Sequence, residues 1–115
     1  EVAGNAQAAK VVAMLLHYGE KNPGMTRVTV GDALVYENER LQARMNQFFD
    51  KIEATLRQCL RSAAEADGSA TPSVDAQVRG SVLTAFVVGR LQRFARSGFK
   101  RAPSEHLEAS LAQML

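Results

Sequence analysis

The residues of this chain that could perform chemistry are few and widely spaced. The sequence contains two histidines, His17 and His106, and a single cysteine, Cys59. A catalytic site would need a nucleophile beside a base, a pair of carboxylates or several converging metal ligands. His17 and Glu20 lie three residues apart and could share a metal on one helix face, but two ligands without a third do not make a metal site. We therefore predict that the chain is not an enzyme and holds no metal and no cofactor.

The single cysteine falls on an apolar stripe beside Leu56 and Leu60. A thiol in that setting packs as a small hydrophobic group, so we interpret Cys59 as an inert core residue. One cysteine excludes an internal disulfide and a Cys-rich zinc site. It is compatible with a reducing cytoplasm, which is where we expect the protein.

A series of basic residues approaches the carboxyl end of one predicted helix and could meet an acidic partner or DNA phosphate. Its members are Arg90, Arg93, Arg96, Lys100 and Arg101. Because the helix macrodipole alone favours cations at this end, we interpret the series as solvated and dipole-compensating. The formal net charge is only +2, which gives no field that would steer the chain toward nucleic acid.

Length and composition indicate one folded domain over residues 1–115. Hydrophobic residues make up 46% of the chain and charged residues 23%, a balance typical of globular proteins. A domain of 12.5 kDa buries a modest share of its surface, so dimerisation would add useful burial. The longest apolar run, Val11 to Leu16, is too short to span a membrane.

Three breaks divide the chain, at residues 22–24, 67–72 and 98–103, and helices are predicted between them. The first helix should cover residues 6–20, since Pro23 disfavours a helical conformation at Asn22. Residues 25–30 contain strand-favouring side chains but have no pairing partner, which favours a short helical turn. A long amphipathic helix should cover residues 33–66, the next should begin after residues 71–73 and end near Phe99, and the last segment should cover residues 104–115.

The last two helices carry more apolar surface than one packed neighbour requires. The helix ending near Phe99 has two apolar stripes and several small residues, and we expect the last segment to bury its apolar side against another subunit. The sequence therefore predicts a homodimer. Its predicted interface consists of Val82, Ala85, Phe86, Val87, Gly89, Leu91, Phe94, Leu107 and Leu111.

Several stretches of the sequence match a known family in order and spacing. One is the run MLLHYGEKNPGMTRVTVGDALVYENERLQARMNQ from Met14 to Gln47, and another is FFDKIE from Phe48 to Glu53. After a variable segment the match resumes at Ser81, Ala85-Phe86, Gly89, Leu91, Arg93-Phe94, Arg96-Ser97, Phe99-Lys100 and Pro103. From Val11 to Pro103 the chain resembles the C-terminal regulatory domain of the SlmA-like nucleoid occlusion factors, which are TetR-family proteins. The resemblance implies an all-α, TetR-type C-terminal helical domain that dimerises through a four-helix bundle.

The resemblance also implies a partner and a surface. Proteins of this family bind the C-terminal tail of the division protein FtsZ beside the helix that ends before the Asn-Pro-Gly turn, which here implies Met14, His17, Lys21 and Asn22. They bind DNA through an N-terminal helix-turn-helix domain, which precedes the region matched here, so we expect the chain to be part of a longer, nucleoid-associated protein. The position of His17 is a glycine in the enterobacterial pattern and that of Lys21 is an arginine.

Two other classes of function stay open from the residues alone. One is the ligand-binding domain of a TetR-family repressor that responds to a small molecule, although Phe48, Phe49, Phe86 and Phe94 could fill such a cavity. The other is a helical adaptor unrelated to DNA. A helix-turn-helix upstream of Glu1 would exclude the adaptor.

Overall fold

Five helices make up the described part of the chain, residues 3–30 and 38–115 of a computed structural model. They are α1 (Ala3–Lys21), α2 (Pro23–Thr29), α3 (Glu39–Ala66), α4 (Pro72–Arg96) and α5 (Leu107–Met114). No described residue lies in a strand. The predicted all-α class and the predicted helical turn at residues 25–30 are confirmed. None of the described helices is both long enough and apolar enough to cross a membrane.

The corner between α1 and α2 forms where the sequence places Asn22 and Pro23. Pro23 occupies the first turn of α2, where its missing N–H costs no hydrogen bond. The Asn22 side-chain amide donates to the carbonyl oxygen of Tyr18 at 2.8 Å, and the buried Thr26 hydroxyl donates to that of Gly19 at 2.8 Å. The last carbonyls of α1 are therefore satisfied by side chains from the turn and from α2.

The long helix begins later than the sequence predicts. The side chain of Asn38 caps α3 by accepting a hydrogen bond from the backbone N–H of Leu41 at 3.1 Å, an arrangement typical of a helix start. The remaining predicted residues, 33–37, lie outside the described part of the chain. The carboxyl half of α3 faces the core through Ile52, Leu56 and Leu60.

Two glycines with positive φ end α3 and α4. Gly68 has a φ of 78° and Gly98 a φ of 67°, a conformation that lacks a steric penalty only in glycine. After Gly98, the N–H of Phe99 donates to the carbonyl of Phe94 at 2.9 Å, which is the bonding pattern of a Schellman cap. This cap ends α4 at Arg96 rather than near Phe99.

The core lies where α1 crosses the pair formed by α3 and α4, which pack against each other most extensively. Its fully buried large apolar side chains include Leu16, Leu56, Leu83, Val12 and Val87. The described residues span 46 × 30 × 15 Å. In this flat bundle α1 lies on the surface, with one face buried and the other exposed.

The last helix packs on the same chain's core. Leu107 and Leu111 belong to the cluster that contains Val12 and Leu83. Leu107 and Leu111 therefore find their burial within the chain rather than against another subunit, while the four-helix dimer stays a prediction. Val87, Leu91 and Phe94 of the predicted dimer interface are also buried in the single chain.

Candidate partner-binding ridge and dimer face

One line of exposed side chains runs along α1. Lys10, Met14, His17 and Lys21, spaced by four, three and four residues, are all exposed, and this spacing places them on one face of a helix. We call these four residues the α1 ridge. The opposite face is buried through Val12 and Leu16, so the ridge is presented by a helix whose position is fixed by the core.

An apolar groove lies on one side of the ridge, between α1, α2, α3 and α4. It has a volume of about 370 Å³ and is lined by Met14, Leu15, Tyr18, Gly19, Met25, Thr26, Thr29, Phe48 and Leu91. Met14, Tyr18, Met25 and Phe48 are large apolar or aromatic residues that remain between 41% and 63% exposed. Side chains of this kind at a groove mouth are typical of a surface that binds a partner.

A second groove lies on the other side of the ridge, between α1 and α5. It has a volume of about 610 Å³ and is lined by Ala9, Lys10, Ala13, His17, Ser104, His106, Leu107, Glu108, Ala109 and Leu111. Both histidines of the chain lie here. Among the residues that the structure describes, no group of three His, Cys, Asp or Glu side chains is arranged to hold a metal.

The four residues predicted from the resemblance lie in the second half of α1 and in the turn that follows it, but they differ in their surroundings. Met14 lines the apolar groove, whereas His17 lines the α1–α5 groove. Lys21 is exposed and makes no salt bridge with any described residue. Asn22 uses one of its two amide N–H groups to close α1, so its second N–H and its side-chain oxygen remain for a partner.

Sequence reasoning missed Tyr18, Met25 and Phe48 as candidate groove residues. Tyr18 follows Met14 by four residues on the exposed face of α1, which is the signal that could have identified it. Met25 and Phe48 join it only through the fold, because α2 and α3 approach α1 from different parts of the chain.

A surface for a second copy of the chain runs along α4. Val74, Val78 and Val82 are about half exposed or more, and Ala85 and Gly89 are exposed on the same helix face. We call these five residues the α4 face. Of the predicted interface, Val82, Ala85 and Gly89 lie on it and the half-buried Phe86 lies beside it. The other five predicted residues, Val87, Leu91 and Phe94 of α4 and Leu107 and Leu111 of α5, are buried within the chain. The dimer itself stays a prediction.

Arg90 corrects the interpretation of the basic series as uniformly solvated. Its guanidinium donates to the carbonyl oxygen of Pro103 at 3.3 Å, to that of Glu105, and to the Ser110 hydroxyl at 3.2 Å. It also lies 4.7 Å from the centre of the Phe86 ring, within the range of a cation–π contact. Arg90 therefore joins α4 to α5 and to the loop between them.

The rest of the series is exposed. Arg101 pairs with Glu105, with 3.1 Å between nitrogen and oxygen, while Arg93, Arg96 and Lys100 face solvent. The hydrogen bond and charge of Arg101 hold the pKa of the Glu105 carboxyl below its usual value. Cys59, predicted to be an inert core thiol, is only partly exposed and packs against the core.

The all-helical fold is that of a tetracyclin repressor-like C-terminal domain. The family model that describes the SlmA-like tetracyclin repressor-like C-terminal domain matches residues 6–115, and the chain belongs to this family. It is 45% identical over 107 residues to the nucleoid occlusion factor SlmA of Citrobacter koseri, a match that covers 91% of this chain and 52% of the relative.

Other relatives carry the same name. The chain is 44% identical over 104 residues to nucleoid occlusion factor SlmA of Escherichia fergusonii and 45% identical over 106 residues to that of Escherichia coli O1:K1. Each match covers 90% of this chain and 52% of the relative. The chain thus spans about half the length of the curated relatives that it matches.

Proposed function

We propose that this domain is the dimerisation and partner-binding domain of a DNA-binding nucleoid occlusion factor that inhibits assembly of the FtsZ division ring over the chromosome. In this proposal two copies pair through the α4 face and so space two DNA-reading domains on adjacent half-sites. The C-terminal tail of FtsZ binds along the exposed side of α1, over the apolar groove, with contacts to Met14, Lys21 and Asn22. The protein acts in the cytoplasm, at the nucleoid.

One observation supports the partner proposal: α1 carries both an exposed cation without a salt bridge to any described residue, Lys21, and the exposed groove residues Met14 and Tyr18. An extended peptide could place a carboxylate at Lys21 and an apolar side chain between Met14 and Phe48. Methionine adapts to such a side chain because its thioether is flexible. The ammonium of Lys21 would attract the carboxylate as a point charge rather than through a bidentate fork.

Titration of a fluorescent FtsZ tail peptide against the full-length protein tests this proposal. Lys21→Glu should weaken binding of the tail by about tenfold or more, because it replaces attraction by repulsion at one contact. Lys51→Glu is the matched control, since Lys51 is also exposed but lies on α3. DNA affinity and dimer mass should be the same in both variants. An unchanged tail affinity in Lys21→Glu would contradict the proposal.

A second candidate function has one observation in its favour. The apolar groove is of a size that accepts a small molecule, and Phe48, which could have filled it, lies exposed at its mouth. A repressor domain that binds an apolar ligand there would release DNA when the ligand is added. The discriminating test is whether Phe48→Ala changes tail binding or instead changes only the ligand response of DNA binding.

A further inference from the structure

One hydrogen bond connects the loop between α4 and α5 to the end of α1. The Ser104 hydroxyl donates to the Glu20 carboxylate at 2.6 Å, across 84 positions of sequence, and both residues are half-buried. Glu20 directly precedes Lys21, the cation proposed to attract the partner's carboxylate. The bond therefore determines where a negative charge lies next to the α1 ridge.

The geometry of the helix separates the two charges while the bond is present. Side chains one residue apart on an α-helix project about 100° from each other, and neighbouring residues do not face one another. With its carboxylate bonded to Ser104, Glu20 is held toward the loop. Without that bond the carboxylate could turn toward the ridge, because Glu20 follows His17 by three residues and lies beside Lys21.

The loop does not depend on Ser104 for its position. Pro103 is fully buried, and Arg90 donates to the carbonyl oxygens of Pro103 and Glu105. These contacts anchor the residues on both sides of Ser104. Removal of the Ser104 hydroxyl should therefore release Glu20 without displacing the loop.

We propose that Ser104 is a positioning residue for the binding of a carboxylate-bearing peptide at Lys21. Its hydroxyl fixes the Glu20 carboxylate away from the ridge, so that the charge of Lys21 acts on the partner alone. This inference rests on the proposed function, because it assumes that Lys21 attracts the peptide.

The test measures affinity of the labelled FtsZ tail peptide for four forms of the full-length protein: Ser104→Ala, Ser104→Thr, Glu20→Gln, and Ser104→Ala combined with Glu20→Gln. Ser104→Ala should weaken binding by about two- to fivefold, the scale of one exposed charge interaction. Ser104→Thr keeps the hydroxyl and should bind like the wild type. In the double variant no carboxylate is released, so affinity should equal that of Glu20→Gln.

The salt dependence of the affinity distinguishes this electrostatic role of Ser104 from a merely structural one. The effect of Ser104→Ala should disappear near 1 M salt, where the Debye length is about 3 Å, whereas a displaced loop would weaken binding at any salt concentration. A loss in Ser104→Ala that persists in high salt, or that Glu20→Gln does not reverse, would overturn the inference and leave the proposed function intact. If Lys21→Glu leaves binding unchanged in the same assay, the proposed function and this inference both fail.

Discussion

Met14 and His17 lie one turn apart on α1, yet they line different grooves. Met14 lines the apolar groove with Tyr18 and Phe48, and His17 lines the α1–α5 groove with Ser104 and His106. Residues three apart on a helix differ by about 60° in direction, which here is enough to place them on opposite sides of the ridge. The apolar groove and the α1–α5 groove therefore offer a bound peptide two different paths across α1.

The first prediction concerns that choice. Met14→Ala in the full-length protein should weaken binding of the FtsZ tail by about fivefold or more, because it removes most of an apolar side chain at the mouth of the apolar groove. His17→Gly should change the affinity by less than about twofold. Fluorescence anisotropy with the tail peptide measures both.

Circular dichroism is needed beside the affinities, since glycine lowers helix stability by about 1 kcal/mol. His17→Ala avoids that penalty and is the matched control. The reverse order of effects, with His17 dominant, would place the peptide over the α1–α5 groove instead.

The second prediction concerns Gly4, where α1 lies against the backbone of α3. A Cβ atom added at Gly4 would overlap the backbone carbonyl oxygen of Cys59, and a carbonyl within α3 cannot move aside as a flexible side chain can. Gly4→Ala should therefore lower the free energy of unfolding by about 1–3 kcal/mol. Gly24→Ala is the control, because nothing lies within 4 Å of the position that its Cβ would take. Urea unfolding of both variants measures the difference, and equal stabilities would show that α1 crosses α3 elsewhere.

Local sequence signals predict that most of the helices exist, but they do not predict the exact residues at which each helix begins and ends. The Asn22-Pro23-Gly24 turn and Gly68 mark chain reversals that depend on a few neighbouring residues. Periodicity also identified Leu56 and Leu60 as core residues.

Burial that depends on the fold was harder to predict. Val87 and Leu91 lie on an apolar stripe, and a stripe does not say whether it meets the same chain or a second copy. The sequence predicts a solvated Arg90 because its acceptors, such as the Pro103 carbonyl, are backbone atoms that side-chain patterns do not reveal. Met14, His17 and Lys21 were implied by the family resemblance, whereas the apolar groove could not be predicted because Phe48 joins it from α3.

The third prediction is a pH dependence. The pKa of Glu105 is lowered by the hydrogen bond and charge of Arg101, so the ionised carboxyl is favoured in the folded state. A lowered pKa contributes stability that is present above the usual Glu pKa of about 4.3 and is lost as the pH falls through the lower folded-state value. In Arg101→Gln the pKa of Glu105 should rise toward that usual value.

Carboxyl chemical shifts followed by NMR during acid titration measure the pKa directly. The stability difference between wild type and Arg101→Gln should be small, because the pair is exposed, and it should vanish in acid. The stability change in Arg61→Gln can be compared with that in Arg101→Gln, since the Arg61–Glu65 pair has the same i,i+4 spacing. A Glu105 pKa that does not move in Arg101→Gln would show that the pair does not form in solution.

The last prediction separates the dimer face from the core beneath it. Val82 is 48% exposed and Leu91 is 5% exposed, although both lie on α4 and both were predicted to meet the second subunit. Val82→Glu should leave the helical circular dichroism spectrum intact. In sedimentation velocity the wild type should sediment as a dimer of two 12.5 kDa chains, and Val82→Glu should sediment as a monomer. The reason is that a carboxylate placed between two apolar helices loses its hydration without gaining a partner.

Leu91→Glu should instead unfold the chain, since its carboxylate would lie inside the core. Gln58→Glu, at an exposed position of α3, is the control for added charge and should stay dimeric. A wild-type monomer at tens of micromolar, or a dimer that survives Val82→Glu, would mean that the α4 face is not the interface.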